Sequence, residues 1–196
     1  SWRLFNIILT STRFARFSVK TLILAGDNIT TDHILPGGAK ILPLRSNIPA
    51  IAEYVFANLD PGFVQRAKRA GGGAIVGGVN YGQGSSREHA AIAPMYLGVR
   101  MVIAKSFARI HRQNLINYGI IPAVFETGSD YDSIKLDDEL VVTGLKNSLK
   151  NSGSIDIADT KQGIKFRCTL ELSSRERHIL LAGGLLSLVK AKVSNT

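Results

Sequence analysis

Ala74-Ile75-Val76-Gly77-Gly78-Val79 leads directly into Asn80-Tyr81-Gly82-Gln83-Gly84-Ser85-Ser86-Arg87-Glu88-His89-Ala90. The first six residues form a short apolar run of the kind that makes a buried strand. Glu88 to Leu97 then has the composition of a helix. The corner between them brings a serine hydroxyl, a guanidinium and free backbone amides within one turn. Gly82 and Gly84 let the backbone take conformations closed to other residues and approach a ligand without a β-carbon in the way. A helix start leaves unpaired N–H groups and a partial positive charge, which welcome an anion. Arg87 adds a planar fork suited to a carboxylate.

Ser85-Ser86-Arg87-Glu88 has a second reading, the Ser-x-x-Glu capping box, in which the serine caps the helix and the glutamate caps the serine. The chain carries its own control, because the same four letters recur as Ser173-Ser174-Arg175-Glu176 before His178, Ile179, Leu180 and Leu181. That copy has no glycine approach and reads as a plain helix start. What sets Ser85 apart is therefore its flanks.

Around this corner the chain alternates. Thr21 to Gly26 reads as a strand, followed by the polar loop Asp27-Asn28-Ile29-Thr30-Thr31-Asp32-His33 and by Pro36-Gly37-Gly38. Helical spacing covers Ile48 to Phe56 and Pro61 to Ala70, with Gly71-Gly72-Gly73 as the stop. Arg100 to Ala104 reads as a strand, Ser106 opens a helix ended by Gly119, and Ile120 to Phe125 reads as a strand again. The pattern predicts an α/β fold with a mainly parallel sheet and crossover helices, and sets the Ser85 corner at a strand's C-terminal edge, where such sheets bind ligands. From Leu136 onward it changes to hairpin-like strands at Glu139 to Thr143 and Gly163 to Leu172, then a final helix from Ser174 to Lys190.

The 196 residues suit one generous domain, and 45% hydrophobic with 20% charged residues is an ordinary globular composition. No apolar run reaches the 18 or more residues of a membrane span. The net charge is +9, of which Arg3, Arg13, Arg16 and Lys20 supply four without any acid nearby. Residues 1–20 are accordingly read as a basic tail outside the core, with a linker, targeting or vector-derived origin, and residues 21–196 as the domain. The compartment is read as cytoplasmic, with the mitochondrial matrix as the alternative. A single cysteine, Cys168, alternates with Ile164, Phe166 and Leu170, so it faces a core. One thiol supports neither an internal disulfide nor the ligand set of an iron–sulfur cluster.

Three segments carry a family resemblance: Gly26-Asp27-Asn28-Ile29-Thr30-Thr31-Asp32-His33-Ile34, Asn80 through Ala90, and Lys105-Ser106-Phe107-Ala108-Arg109-Ile110-His111. In this order they resemble the mobile C-terminal swivel domain of aconitase, from about Lys20 to the C-terminus. The wider superfamily includes the small subunit of isopropylmalate dehydratase and homoaconitase. The resemblance implies a swivelling β/β/α domain and a reversible dehydration and rehydration, citrate to isocitrate through cis-aconitate, with isopropylmalate or homoaconitate chemistry as the alternative. It implies that Ser85 is the base, that Ser86 hydrogen-bonds substrate, that Arg45 and Arg87 fix carboxylates, and that Asp32 and His33 line the neighbouring loop. Whether Asp32 acts chemically or orients an arginine stays open. It also implies a 4Fe-4S cluster carried by companion domains or a large subunit, not by this chain. Arg45 in Leu44-Arg45-Ser46-Asn47 matches the arginine that grips a citrate carboxylate in aconitases; isopropylmalate enzymes resemble this region less.

Other polar residues read as structural. His89 lies inside the helix after the corner; His111, with Arg109 and Asn114, reads as a tie between sheet edge and loop; Tyr81 either packs or touches the pocket. Gly82-x-Gly84 lacks the third glycine of a dinucleotide fingerprint, and no ligand cluster for a cation is evident. The basic excess permits RNA, but no clustered aromatic surface for stacking bases accompanies it. The expected partners are thus the cluster-bearing domains or subunit and a small tricarboxylic acid.

Overall fold

Strand residues that alternate between two apolar environments need a core on each side of the sheet. In the computed structural model, which describes residues 16–151 and 153–193, this is how the central strands are built. The strands are β1 (Arg16–Leu24), β2 (Gly73–Gly77), β3 (Val99–Ala104), β4 (Ile121–Phe125), β5 (Glu139–Thr143), β6 (Ser154–Asp159) and β7 (Ile164–Thr169). They close into a barrel in the order β1-β2-β3-β4-β7-β6-β5. Ala74, Val76, Met101, Ile103, Ile121 and Ala123 fill its interior with residues of the other strands. Their neighbours Ile75 and Val102 point outward into a second core beneath the helices.

Only β1 to β4 pair in parallel; β4 with β7, β7 with β6, β6 with β5 and β5 with β1 are antiparallel. The expected mainly parallel sheet is therefore half of a mixed barrel. Of the antiparallel half, β5 and β7 coincide with the expected hairpin-like strands, whereas β6, Ser-Ile-Asp-Ile-Ala-Asp, has only Ile155 and Ile157 as large apolar residues to mark it. The helices are α1 (Thr31–Ile34), α2 (Ile48–Ala52), α3 (Phe63–Ala70), α4 (His89–Tyr96), α5 (Arg109–Asn117), α6 (Leu145–Asn151), α7 (Ser174–Leu181) and α8 (Leu185–Val193). The single C-terminal helix expected over 174–190 is two: the amides of Gly183 and Gly184 turn back onto Leu180 and Ile179 and close the first.

Arg16–Lys20, assigned by the sequence to the basic tail, belong to the barrel. They pair with Thr143 to Glu139 of β5, and Phe17 and Val19 enter the interior while Arg16, Ser18 and Lys20 face out. The positive charge misled because an antiparallel strand with one solvated face carries alternate polar residues, here two of them basic. The rest of the tail, with its targeting reading, lies outside the described residues. No helix among the described residues is long and apolar enough to cross a membrane.

The parallel arrangement puts the C-terminal ends of β1, β2 and β3 side by side. From them emerge the Asp27–His33 loop, the Gly82–Glu88 corner and the Lys105–Ala108 segment. Phe17→Ala, by emptying a place in the barrel wall, should cost about 3 kcal/mol in urea denaturation; a tail residue outside the core would show almost no change.

Candidate active site

Tertiary contacts hold the three loops as one surface. The carbonyl of Ile29 accepts the amides of Gly82 (2.7 Å) and Gln83 (2.9 Å), and Thr31 N–H donates to Gln83 C=O at 2.8 Å. Thr31, buried, donates its hydroxyl to the carbonyl of Ser85 at 3.2 Å. On the other side Tyr81 N–H donates to Ser106 C=O and Ala108 N–H to Tyr81 C=O, both at 2.9 Å. Asp27 reaches across to accept from Val79 N–H at 2.7 Å.

The corner is shaped by what lies under it. Gly82 has φ +86°, and a β-carbon there would stand 2.2 Å from Cδ2 of His111. Only glycine meets both conditions. Tyr81, 1% exposed, packs edge-on to Phe107 with centroids 6.1 Å apart, and against the His111 ring at 5.5 Å. It is a packing residue, not a pocket residue.

The two Ser-Ser-Arg-Glu copies part company here. At Ser173 the capping box forms: Ser173 Oγ accepts from Glu176 N–H at 3.3 Å and Glu176 Oε2 accepts from Ser173 N–H at 2.8 Å. Glu176 also pairs with Arg112 at 3.0 Å, tying α7 to α5. At Ser85 no box forms. The helix starts at His89 without a side-chain cap, and Glu88 turns to the hydroxyl of Tyr118, 3.4 Å away. Ser85 and Ser86 remain exposed, and Ser85 Oγ bonds to no described residue.

Arg87 is ion-paired to Asp32, whose Oδ1 also accepts Gly37 N–H at 3.3 Å. Asp32 is thereby placed to orient an arginine, one of the two roles that the sequence left open. Two clefts flank Ser86 and Arg87. One, of about 210 Å³, runs from Ser85 to α5, where Arg109, His111 and Asn114 line it. The other, of about 290 Å³, is walled by Leu35, Ile41, Leu42 and Ile51 and contains Arg45. His89 Nε2 donates to the Arg45 carbonyl at 3.0 Å, so this helix-start histidine fastens the Arg45 loop to the corner. His33 lines neither cleft. Its Nδ1 accepts Thr30 N–H and its own amide donates to Thr30 Oγ1, both at 3.1 Å, a capping box that holds the ring at the start of α1. The structure therefore gathers Ser85, Ser86, Arg87 and Arg45 along the two clefts, with Asp32 behind them on Arg87 and His33 next to it on the same exposed loop.

Sequence reading missed the parts played by Thr31 and the α5 wall. Thr31 carried no signal beyond its place in a polar loop. His111 and Asn114 were read as structural ties, yet both line the Ser85 cleft, and His111 Nδ1 and Nε2 and Asn114 Nδ2 bond to no described residue. Burial lowers the His111 pKa from 6.5 to about 4, so the ring is neutral at pH 7.

A 4Fe-4S cluster does not fit this chain. Cys168, the only cysteine, lies in the barrel interior, and burial, with Asp130 and Glu126 nearby, pushes its thiol well above the ordinary range. Among the described residues no three His, Cys, Asp or Glu side chains converge as a metal site.

Two measurements separate these roles. Ser173→Ala should cost about 1 kcal/mol in urea denaturation through the lost cap, whereas Ser85→Ala should leave stability within a few tenths of that of the parent. His111 is buried neutral, with its folded pKa below the unfolded value. Its contribution is therefore present above pH 6.5 and is lost as pH falls toward about 4. Between pH 7 and 4.5 the parent should lose about 2.5 kcal/mol more stability than His111→Phe.

The sequence and fold match known proteins in the same terms. The model of the aconitase C-terminal domain matches residues 61–128. The small subunit 2 of 3-isopropylmalate dehydratase from Archaeoglobus fulgidus is 41% identical, over 84% of this chain and 90% of that protein. The methanogen homoaconitase small subunit of Methanocaldococcus jannaschii is 38% identical, over 85% and 88%. Mitochondrial aconitate hydratases also match, but the chain spans only 15% to 25% of their length. The crystal structure of 3-isopropylmalate dehydratase from Methanocaldococcus jannaschii superposes with TM-score 0.75 and 34% identity, covering 90% of this chain and 95% of that one. The chain belongs to the aconitase superfamily, in the family of the small subunits of isopropylmalate dehydratase and homoaconitase.

Proposed function

We propose that this chain serves as the small-subunit component of a hydro-lyase of the isopropylmalate dehydratase and homoaconitase type. It would supply the base and the carboxylate grips, and a cluster-bearing large subunit the rest. The observation that carries this reading is Ser85, released from any capping duty and exposed beside an arginine that Asp32 holds in place. The aconitate hydratase reading of the sequence gives way to it. The relatives matched along nearly their whole length are small subunits of the other two enzymes, and an apolar wall of Leu35, Ile41, Leu42 and Ile51 suits a branched hydrocarbon arm.

The chemistry asked of this chain is removal and return of a proton on the carbon next to a carboxylate. Arg87 and Ser86 bind that carboxylate and draw electron density from the C–H bond. Ser85 Oγ, as alkoxide, takes the proton and gives it back on rehydration. A serine hydroxyl ionises at neutral pH only where positive charge and N–H donors are aimed at it, a role this reading gives to Arg87 and to the corner amides other than those of Gly82 and Gln83, which the Ile29 carbonyl holds. Thr31 holds the backbone of Ser85 in register. Departure of the substrate hydroxyl belongs to the partner, since no residue here can hold the cluster.

Arg45 supports a second reading of the substrate. A guanidinium in the apolar cleft suits an arm that ends in a carboxylate, as in homocitrate or citrate, better than an isopropyl group.

Mixed with its cluster-bearing partner, the chain should dehydrate isopropylmalate or homocitrate in preference to citrate, followed by absorbance of the unsaturated product. Faster turnover of citrate than of either would sink the assignment. Ser85→Ala should lower kcat by about 10²–10⁴ with KM little changed. Arg45→Leu should raise KM for a carboxylated arm and spare isopropylmalate.

A further inference from the structure

Beyond the corner itself, the far wall of the Ser85 cleft is built of polar atoms without partners. His111 is 2% exposed and Asn114 8% exposed, and each carries side-chain nitrogens that bond to no described residue. Both lie on one face of α5 and line the same cleft as Ser85 and Arg87. Buried donors gathered this way at one wall point to a ligand group that meets them. The carbon edge of the His111 ring is already packed, against Tyr81 and against the backbone of Gly82.

The chemistry of the lining selects the group. No aspartate or glutamate among the described residues lines this cleft. Arg109, exposed at its rim on the same helix, makes no ion pair among the described residues and adds a second guanidinium beside Arg87. A neutral imidazole offers one N–H, and the Asn114 amide offers two. Donors plus an unpaired cation, with no opposing anion, suit a carboxylate.

We propose that Asn114, His111 and Arg109 form a second carboxylate subsite, facing the one at Ser86 and Arg87, so that the cleft grips both carboxylates of a hydroxydicarboxylic core. The subsite rests on the hydro-lyase reading for the identity of its ligand. Its logic is division of labour: Arg87 holds the carboxylate next to the reacting carbon, and α5 holds the other and fixes the angle at which the C–H bond meets Ser85. His111, rigid and uncharged under Gly82, places its donor without adding charge next to the proposed alkoxide. In this scheme Asn114 and Arg109 are binding residues and contribute to KM more than to kcat.

The test uses the isotopically labelled full chain titrated with malate, which carries the shared core. The four histidines make the His111 ring signals assignable. The His111 ring and the Asn114 side-chain amide should shift together with the backbone amides of Ser86 and Arg87. Asn114→Asp, which sets a carboxylate against a carboxylate, should abolish the response at His111. In the complex with the large subunit, Asn114→Ala and Arg109→Gln should each raise KM about tenfold or more with kcat within about threefold. Shifts confined to Ser86 and Arg87, or an unchanged KM in both variants, would overturn the second subsite and leave the hydro-lyase reading standing. No shift at either place with malate in large excess would likewise overturn the subsite, while turnover by the reconstituted pair decides the hydro-lyase reading separately. His111→Phe is the riskier variant because the ring is buried, so the decision rests on Asn114 and Arg109.

Discussion

The Ile29 carbonyl, which accepts the amides of both Gly82 and Gln83, is the contact on which the site depends. It joins the loop after β1 to the corner after β2, and Thr31 adds bonds to Gln83 and Ser85 on either side. Loops at the end of a parallel sheet are otherwise free to move independently. Lashed together, they present Asp32 to Arg87 and hold Ser85 clear of the helix that follows. The barrel beneath supplies the rigidity, because closing β5 onto β1 fixes the strand from which the first loop emerges.

Conformational constraint and electrostatics work together here. Gly82 takes a positive φ and lies against His111, so the corner cannot relax into the ordinary helix start that its sequence invites. The Ser173 copy, lacking that constraint, settles into a capping box and spends its glutamate on Arg112. One tetrapeptide therefore has two fates, decided by whether the surrounding backbone leaves the serine close to the amides it would cap. Of the three arginines near Ser85, Arg87 has one carboxylate partner, whereas Arg45 and Arg109 are exposed.

The proposed chemistry is shared between two proteins. This chain offers hydroxyls, guanidiniums and amides at an open face, with its single thiol sealed inside the barrel. In the proposed function a face of that kind binds carboxylates and transfers a proton. It is incomplete for expelling a hydroxyl, which in the superfamily resemblance falls to a cluster on the companion piece.

The amino-acid sequence by itself determined the strand–corner–helix unit, the parallel half of the barrel and the run Ser85-Ser86-Arg87, because each is written in local apolar runs, turn glycines and short motifs, while Arg45 joined them only through the family resemblance. Only the tertiary structure decided the rest. Arg16–Lys20 read as tail because a strand's partner, β5, is more than a hundred residues away and leaves no local mark. The expected mainly parallel sheet and hairpin-like strands closed into one mixed barrel for the same reason: pairing across β4 and β7 is a long-range choice. The ring of His33 caps its own helix at Thr30, and Asp32 pairs with Arg87, contacts that no local motif announces. His111 and Asn114 entered the cleft because helix α5 turns that face toward Gly82. Sequence records which groups are available, while only packing sets which of them meet.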